Sequence, residues 1–327
     1  MSSIGIMFRC KNAPEDLILF SKEVESAGFD ELWIVEDCFF AGGIASVSTA
    51  LANTQSIRVG LGIMPAVGRN PAFAAMEIAL LARIYPGRFL PGFGHGVGDW
   101  MKQIGAFPSS QLAALEEVTL TVRDLLAGKT VNFDGKHVHL DHVTLDFPPQ
   151  TIPGISLGVR GPKSLQISGR VADGTILAEH ASAEYVSWAI EQIRIGQEQG
   201  GRSNEPHRVT VYTFCSMDDD HDTAIQKLRP LIIQGVASGN LFPYLEPLGI
   251  VEEAKRLIET GTLETHMPDE WVTKLAVSGT PAECQAAIQK LMNAGADSVV
   301  LVPIEEDFET MTALCSKANI QNDVLLP

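Results

Sequence analysis

Asp37 is the first residue whose placement suggests chemistry, because it follows the apolar run Leu32 to Val35 and is flanked by Glu36 and Cys38. A carboxylate just beyond a strand can contact a ligand or cap the next element, and the sequence allows both. Further on, Gly92, Gly94, Gly96 and Gly98 alternate with Phe93, His95 and Val97. Glycines spaced in this way let a ligand approach the backbone. A histidine among them can move a proton near neutral pH, although spacing alone fits a hydrogen-bonded structural histidine slightly better. Glu179-His180 follows another apolar run, where a proton donor could face a ligand or an ordinary surface pair could sit.

The segment Gly158-Val159-Arg160-Gly161-Pro162-Lys163 ends one apolar run and opens a helix at Pro162. Free backbone N–H groups, the positive end of the helix dipole and two cations meet there, so an anion such as a phosphate would suit it. A plain tight turn is the other reading. His137, His139 and His142 look like metal ligands but fall on an expected surface hairpin, with His142 on the opposite face from the other two. No metal site is therefore expected.

These residues need a frame that brings chain-distant segments together. Residues 57–100 supply its repeating unit: an apolar run, a turn at Asn70-Pro71, a helical run to Ile84, a Pro86-Gly87 break and a second apolar run. Two strands joined by a helix pair in parallel with a right-handed crossover. Runs beginning near Ile4, Leu32, Ile57, Phe89, Ile155, Thr175, Arg208 and Ser298 have helical segments between them, which is the count that a closed (β/α)8 barrel requires. An open doubly wound sheet is the competitor, but Phe8-Arg9-Cys10-Lys11 lacks the glycines of a dinucleotide fingerprint. In a barrel the strand C-termini carry the chemistry, and those ends collect the residues named above.

Two stretches interrupt the rhythm, about 101–150 and about 226–275, within what reads as a single domain over residues 1–327. The first holds a long helix capped at Ser109-Ser110 and then a β-hairpin around Asp134-Gly135. The second is helical and punctuated by Pro230, Gly239-Asn240, Pro243 and Pro247. The formal charge of −16 argues against nucleic acid or an anionic membrane as partner. No apolar run reaches the roughly 18 residues of a membrane span, and the N-terminus does not read as a secretory leader, so the cytoplasm is the expected compartment. Cys10, Cys38, Cys215, Cys284 and Cys315 are scattered and signal neither a disulfide framework nor a zinc site.

In their order along the chain, AGFDELWIVED (Ala27 to Asp37), GLGIMPAVGRNP (Gly60 to Pro71), PGRFLPGFGHG (Pro86 to Gly96), GPKSLQISGRVADG (Gly161 to Gly174) and SGTPAECQAAIQKLMNAGAD (Ser278 to Asp297) resemble the bacterial luciferase-like flavin and deazaflavin oxidoreductases. The branch most similar uses coenzyme F-420 and includes methylene-tetrahydromethanopterin reductase. The resemblance implies a TIM barrel with insertions. It implies that Asp37 contacts the flavin-type ring and that Gly62-Ile63 forms a bulge with a non-prolyl cis peptide behind it. Gly158, Val159, Arg160 and Gly161 would hold the cofactor phosphate. The cofactor-binding candidates are thus Asp37, Gly62, Ile63, Gly94, Gly96, Gly158 to Gly161 and Lys163.

Two departures bear on catalysis. Cys38 stands where such dehydrogenases often carry a histidine, and Val97 stands where some members carry an acid, with Asp99 two residues later. The catalytic candidates are therefore Cys38 together with His95 and Glu179, the last two chosen by position for proton transfer. The leading expectation is an oxidoreductase that moves a hydride between FMN or coenzyme F-420 and a small organic substrate. The alternatives are an FMN-dependent monooxygenase fed by a partner flavin reductase, and a flavin-binding protein without turnover. The small-residue helix Ala45 to Thr54 suggests a homodimer.

Overall fold

A computed structural model describes residues 2–304 of the chain; Cys315 lies outside the described residues. The strands are β1 (Ser3–Phe8), β2 (Glu31–Ile34), β3 (Arg58–Pro65), β4 (Phe89–Gly94), β5 (Val131–Asp134), β6 (His139–Val143), β7 (Ser156–Gly158), β8 (Gly174–Leu177), β9 (Arg208–Met217), β10 (Val277–Gly279) and β11 (Ser298–Pro303). Eight of them close a parallel barrel in the order β1-β2-β3-β4-β7-β8-β9-β11, with β11 returning to β1. Of the eight starts expected from the sequence, six fall on these strands and two, Ile57 and Ile155, lie one residue ahead of β3 and β7. Their near-continuous apolar character follows from burial on both faces.

The helices are α1 (Leu17–Ser26), α2 (Gly43–Ala52), α3 (Pro71–Ile84), α4 (Gly98–Gln103), α5 (Gln111–Leu126), α6 (Pro162–Val171), α7 (Ala183–Gln199), α8 (His221–Ala237), α9 (Phe242–Leu245), α10 (Val251–Glu259), α11 (Leu263–His266), α12 (Asp269–Leu275) and α13 (Pro281–Asn293). Short polar caps fix where they begin. Asn70 accepts from the Ala72 N–H, Ser110 from Ala113 and Asp220 from Thr223, while Thr280 and Glu283 form a capping box. The hairpin β5–β6 stands where expected, and the Glu117 carboxylate on α5 accepts the N–H groups of Lys136, His137 and Val138 in its turn. Pro230 does not break the second inserted stretch, since α8 runs straight through it. Pro230 is exposed, so water can satisfy the carbonyl that its missing N–H leaves free.

The barrel interior is filled by large side chains opposite glycines. A Cβ on Gly60 would lie 2.3 Å from the Trp33 ring, one on Gly62 2.0 Å from Tyr212 Oη, and one on Gly92 2.8 Å from Ile176 Cδ1. Two neighbouring strands, β3 and β4, thus give up side-chain volume to Trp33, Tyr212 and Ile176, which pack with Met7, Val300 and Val302 as a plug of the interior. Beneath the plug, the fully buried Glu31 accepts from Trp33 Nε1 at 2.8 Å, Ser298 Oγ at 2.8 Å, Arg58 at 3.0 Å, and Arg208. Above it the barrel is open.

Candidate functional site

The open end is a cavity of about 870 Å³, lined by strand ends and by both inserted stretches. Its lining includes Asp37, Ile63, His95, Gly96, Val97, Gly158, Val159, Arg160 and Gly161, drawn together from β2, β3, β4 and β7. This size falls within the range of small-molecule and cofactor clefts.

The wall at Ile63 is built by close backbone approach. The Gly62–Ile63 peptide is cis, as the resemblance implied, and the β3–β4 register shifts between Leu61 and Met64. A Cβ on Gly158 would fall 2.5 Å from Ile63 Cγ2, and one on Gly94 2.9 Å from Ile63 Cδ1. Glycines on β4 and β7 therefore let the Ile63 side chain lie flat across the cleft floor. Below it, Tyr212 Oη is buried with no hydrogen-bond partner among the described residues. A second cis peptide joins Cys38 to Phe39 at the rim.

Next to this floor stand the polar groups. Asp37 accepts a hydrogen bond from Cys10 Sγ at 3.3 Å. Burial, then that bond and the Asp37 charge, push the Cys10 thiol up to about 11. Glu36 is gripped by the Arg69 guanidinium through both carboxylate oxygens, and also accepts from the Gly43 N–H at 3.3 Å. That clamp fixes the chain just before Asp37. Cys38 lies outside the cavity lining, and its thiol is pushed up by burial, then by Glu36 and Asp37.

Glu179 is half-buried beside Ala178, which lines the cavity. Burial raises its pKa, the Asp37 charge raises it further, and Arg9 counteracts in part. Arg9 itself donates to the carbonyls of Pro303 at 3.2 Å and Ile304 at 3.3 Å, tying β1 to the end of β11. His180 has a left-handed backbone (φ 75°) that turns its ring inward, 5.0 Å from Phe214 and 6.4 Å from Tyr244 between centroids. Burial pushes its pKa down to about 4. His95 lies with Nε2 3.1 Å from Ser164 Oγ, and burial lowers its pKa against a smaller opposing contact at the Gln111 backbone.

The segment Gly158 to Lys163 ends β7 and opens a helix at Pro162, as the sequence suggested. Helix α6 opens with Gly161 as cap, Pro162 in its first turn and Ser164 facing the cavity. A Cβ on Gly161 would meet nothing within 4 Å, so the backbone there is bare toward its surroundings. Arg160 lines the cavity, whereas Lys163 is exposed and does not. The three hairpin histidines do not converge: His137 sits in the turn, His139 pairs with Asp134 and His142 with Asp141. No group of three potential metal ligands occurs among the described residues.

Sequence reading missed Cys10, Ser164, Trp100, Phe107, Gln111, Leu112 and Pro243 as parts of this site. Ser164 had a signal, since it falls in the first turn of the helix that the sequence offered as an anion seat, where a hydroxyl would help. Of the others, Cys10 lies in the turn after β1, and Trp100, Phe107, Gln111, Leu112 and Pro243 come from α4, the segment that follows it, α5 and α9, whose position over the barrel mouth has no signature in local pattern.

The family model described as luciferase-like monooxygenase matches residues 4–298 of the chain. A 5,10-methylenetetrahydromethanopterin reductase of Methanolobus tindarius is 30% identical over 312 residues, covering 91% of this chain and 93% of that protein. An F-420-dependent glucose-6-phosphate dehydrogenase of Kineococcus radiotolerans is 27% identical over 302 residues, covering 86% of this chain and 85% of that protein. Among solved structures, the coenzyme F-420-dependent tetrahydromethanopterin reductase of Methanopyrus kandleri superposes with a TM-score of 0.78 at 22% identity, over 97% of each chain. At that identity the likeness concerns the fold.

Proposed function

Because this chain belongs to the luciferase-like monooxygenase family, an oxidoreductase family, we propose that it transfers a hydride between a bound deazaflavin of the F-420 type and a small organic substrate. The observation that carries this reading is the glycine-built floor at Ile63, Gly94 and Gly158, continuous with the bare helix N-terminus at Gly161. A flat ring with a phosphate-bearing tail fits that pairing of features, and the curated relatives include a dehydrogenase named for F-420.

In this reading Gly62, Ile63, Gly94, Gly96 and Gly158 receive the ring. Arg160, Gly161 and Ser164 would hold the phosphate through N–H groups, a cation and a hydroxyl, with Val159, whose N–H donates to the Ile176 carbonyl at 3.3 Å, shaping the turn and Lys163 adding long-range attraction from the surface. The bound ring supplies a two-electron hydride-transfer centre. Asp37, kept in place by Cys10 and by the Glu36–Arg69 clamp, would help to orient it. Glu179, whose raised pKa keeps it protonated further toward neutral pH than an ordinary carboxyl, holds the proton that the substrate takes up. His95 is the second candidate for that proton, and Cys38, next to Asp37 but outside the cleft lining, is an un-ionised thiol whose pKa burial and the neighbouring carboxylates raise. The two inserted stretches exclude water.

FMN with oxygen, supplied reduced by a partner reductase, is the second reading, supported by the family's monooxygenase description. Titration of cofactor-free protein with F-420 and FMN in parallel, followed by fluorescence, separates them. Tight binding of the deazaflavin alone supports the proposal; tight FMN binding alone overturns it in favour of the monooxygenase. A homodimer is part of the proposal. Phe73, Met76, Leu80 and Ile84 form an exposed apolar row along α3, suited to a second copy. Light scattering on the eluting protein tests that. The cytoplasm is the compartment we propose, tested by cell fractionation.

A further inference from the structure

Resting on the reading of a ring-bearing barrel, we propose that the molecule admitted beside the cofactor is an uncharged, mainly apolar carbonyl compound, and not a sugar phosphate or a polycarboxylate.

The observation is the character of the wall left over once the cofactor seat is assigned. Val97, Trp100, Phe107 and Leu112 from one inserted stretch face the same cavity as Pro243 from the other. Val97 and Phe107 keep 47% and 45% of their surface exposed, so this apolar surface waits at the mouth and is not consumed by packing. Apolar surface held open at a cleft mouth recovers its hydration cost only when an apolar ligand covers it.

The charges point the same way. Glu36 and Asp37 line the cleft, which places carboxylates around the reacting end. An anionic substrate would need cations to offset them. Among the described residues lining the cleft, the cations are Lys102 and Arg160. Lys102 is bonded to Asp99 at 2.9 Å and lies over the Phe107 ring at 5.4 Å, and Arg160 belongs to the phosphate anchor. Of the guanidinium groups nearby, Arg69 is held by Glu36 and Arg9 by two backbone carbonyls. A second phosphate or carboxylate would therefore be desolvated against like charge with no further cation among the described lining residues to receive it. A carbonyl oxygen needs one donor, and Glu179, next to the cleft-lining Ala178, can be that donor when its carboxyl carries a proton. This sets the chain apart from its relative named for glucose 6-phosphate.

The test uses the full-length protein, first titrated with F-420 and FMN so that cofactor binding is established on its own. The cofactor-loaded protein is then titrated by calorimetry, and by the fluorescence of the bound ring, with cyclohexanone, with cyclohexanone bearing a carboxylate on the opposite ring carbon, and with glucose 6-phosphate. The expected result is that the plain ketone binds at least about tenfold tighter than its carboxylate and than the sugar phosphate, the scale of discrimination when a charge is left unpaired. Trp100→Ala should narrow that ratio by loss of ketone affinity with cofactor affinity measured in the same titration. Equal or tighter binding of either anion overturns the proposal, as does no binding of the ketone. Failure of both cofactors to bind overturns the functional reading beneath it, and the first titration reports that separately.

Discussion

Replacing Gly158 by alanine tests whether the cleft floor is a ligand seat. The new Cβ would lie 2.5 Å from Ile63 Cγ2, whereas carbon atoms in contact sit about 3.5–4.0 Å apart, so about 1–1.5 Å must be found. Ile63 lines the cavity, and the space open to it is the cleft itself. The strain should therefore be relieved by rotation of Ile63 into the cleft, at a folding cost below about 1 kcal/mol. The displaced methyl then occupies room required by the ring, and a loss of about 1.4–2.8 kcal/mol of binding free energy corresponds to a Kd raised about ten- to hundredfold. Gly62→Ala makes the opposite case. Its Cβ would lie 2.0 Å from Tyr212 Oη, and Tyr212 is 3% exposed with packed neighbours, so the strain stays in the fold and costs about 1–3 kcal/mol. Fluorescence titration with the cofactor and urea melts on both variants give the comparison. Wild-type affinity in Gly158→Ala, or a stability loss there matching that of Gly62→Ala, would refute the argument that these glycines serve different purposes.

At the opposite end of the barrel, Glu31→Ala should destabilise the fold by about 3–5 kcal/mol, since it strands Arg58 and Arg208 and leaves Trp33 Nε1 and Ser298 Oγ without their acceptor; denaturant melts measure it. His180 and His207 both have folded pKa values pushed down from 6.5 to about 4, by burial first. The unfolded chain binds protons that the folded one refuses between those values, so stability should fall as pH drops from about 6.5 to about 4, by at most about 1.4 kcal/mol per pH unit for each histidine. Urea midpoints that stay level across that interval would contradict the burial of both rings. Glu179 works in the reverse direction: its folded pKa is raised, so stability falls as pH rises through the carboxylate range, and turnover should decline above its folded pKa. Glu179→Gln should remove that alkaline limb from the pH–rate profile. Finally, Cys10 and Cys38 carry raised thiol pKa values, so alkylation by iodoacetamide should be slow at neutral pH and accelerate only on the alkaline side; fast labelling of either at neutral pH would exclude this charge environment.

Much of the site was legible because barrel chemistry collects at strand ends, and strand ends can be read from where apolar runs stop. Asp37, Ile63, Gly96 and Arg160 were found in that way and line one cavity. Lys163 shows the limit of the method. It is a neighbour in sequence of residues that line the cleft, yet helical periodicity carries it to the exposed side while Ser164 faces in. Strand β10 and helix α4 were missed for a related reason. Three and six residues are too few to establish a period, and each is held by contacts from elsewhere, β10 by the end of β9.

The sequence by itself determined the parallel barrel, the hairpin, the helix caps and the turn that opens α6 at Gly161-Pro162, because alternation of apolar runs, capping side chains and glycine positions act over a few residues. Only the tertiary structure decided that Cys10 supports Asp37, that Arg69 locks Glu36, that Tyr212 fills the space beneath Gly62, and that Trp100, Phe107 and Pro243 wall one cleft. Those pairs are separated by tens to more than a hundred residues in the chain, and their meeting depends on barrel closure and strand register, which no local pattern encodes.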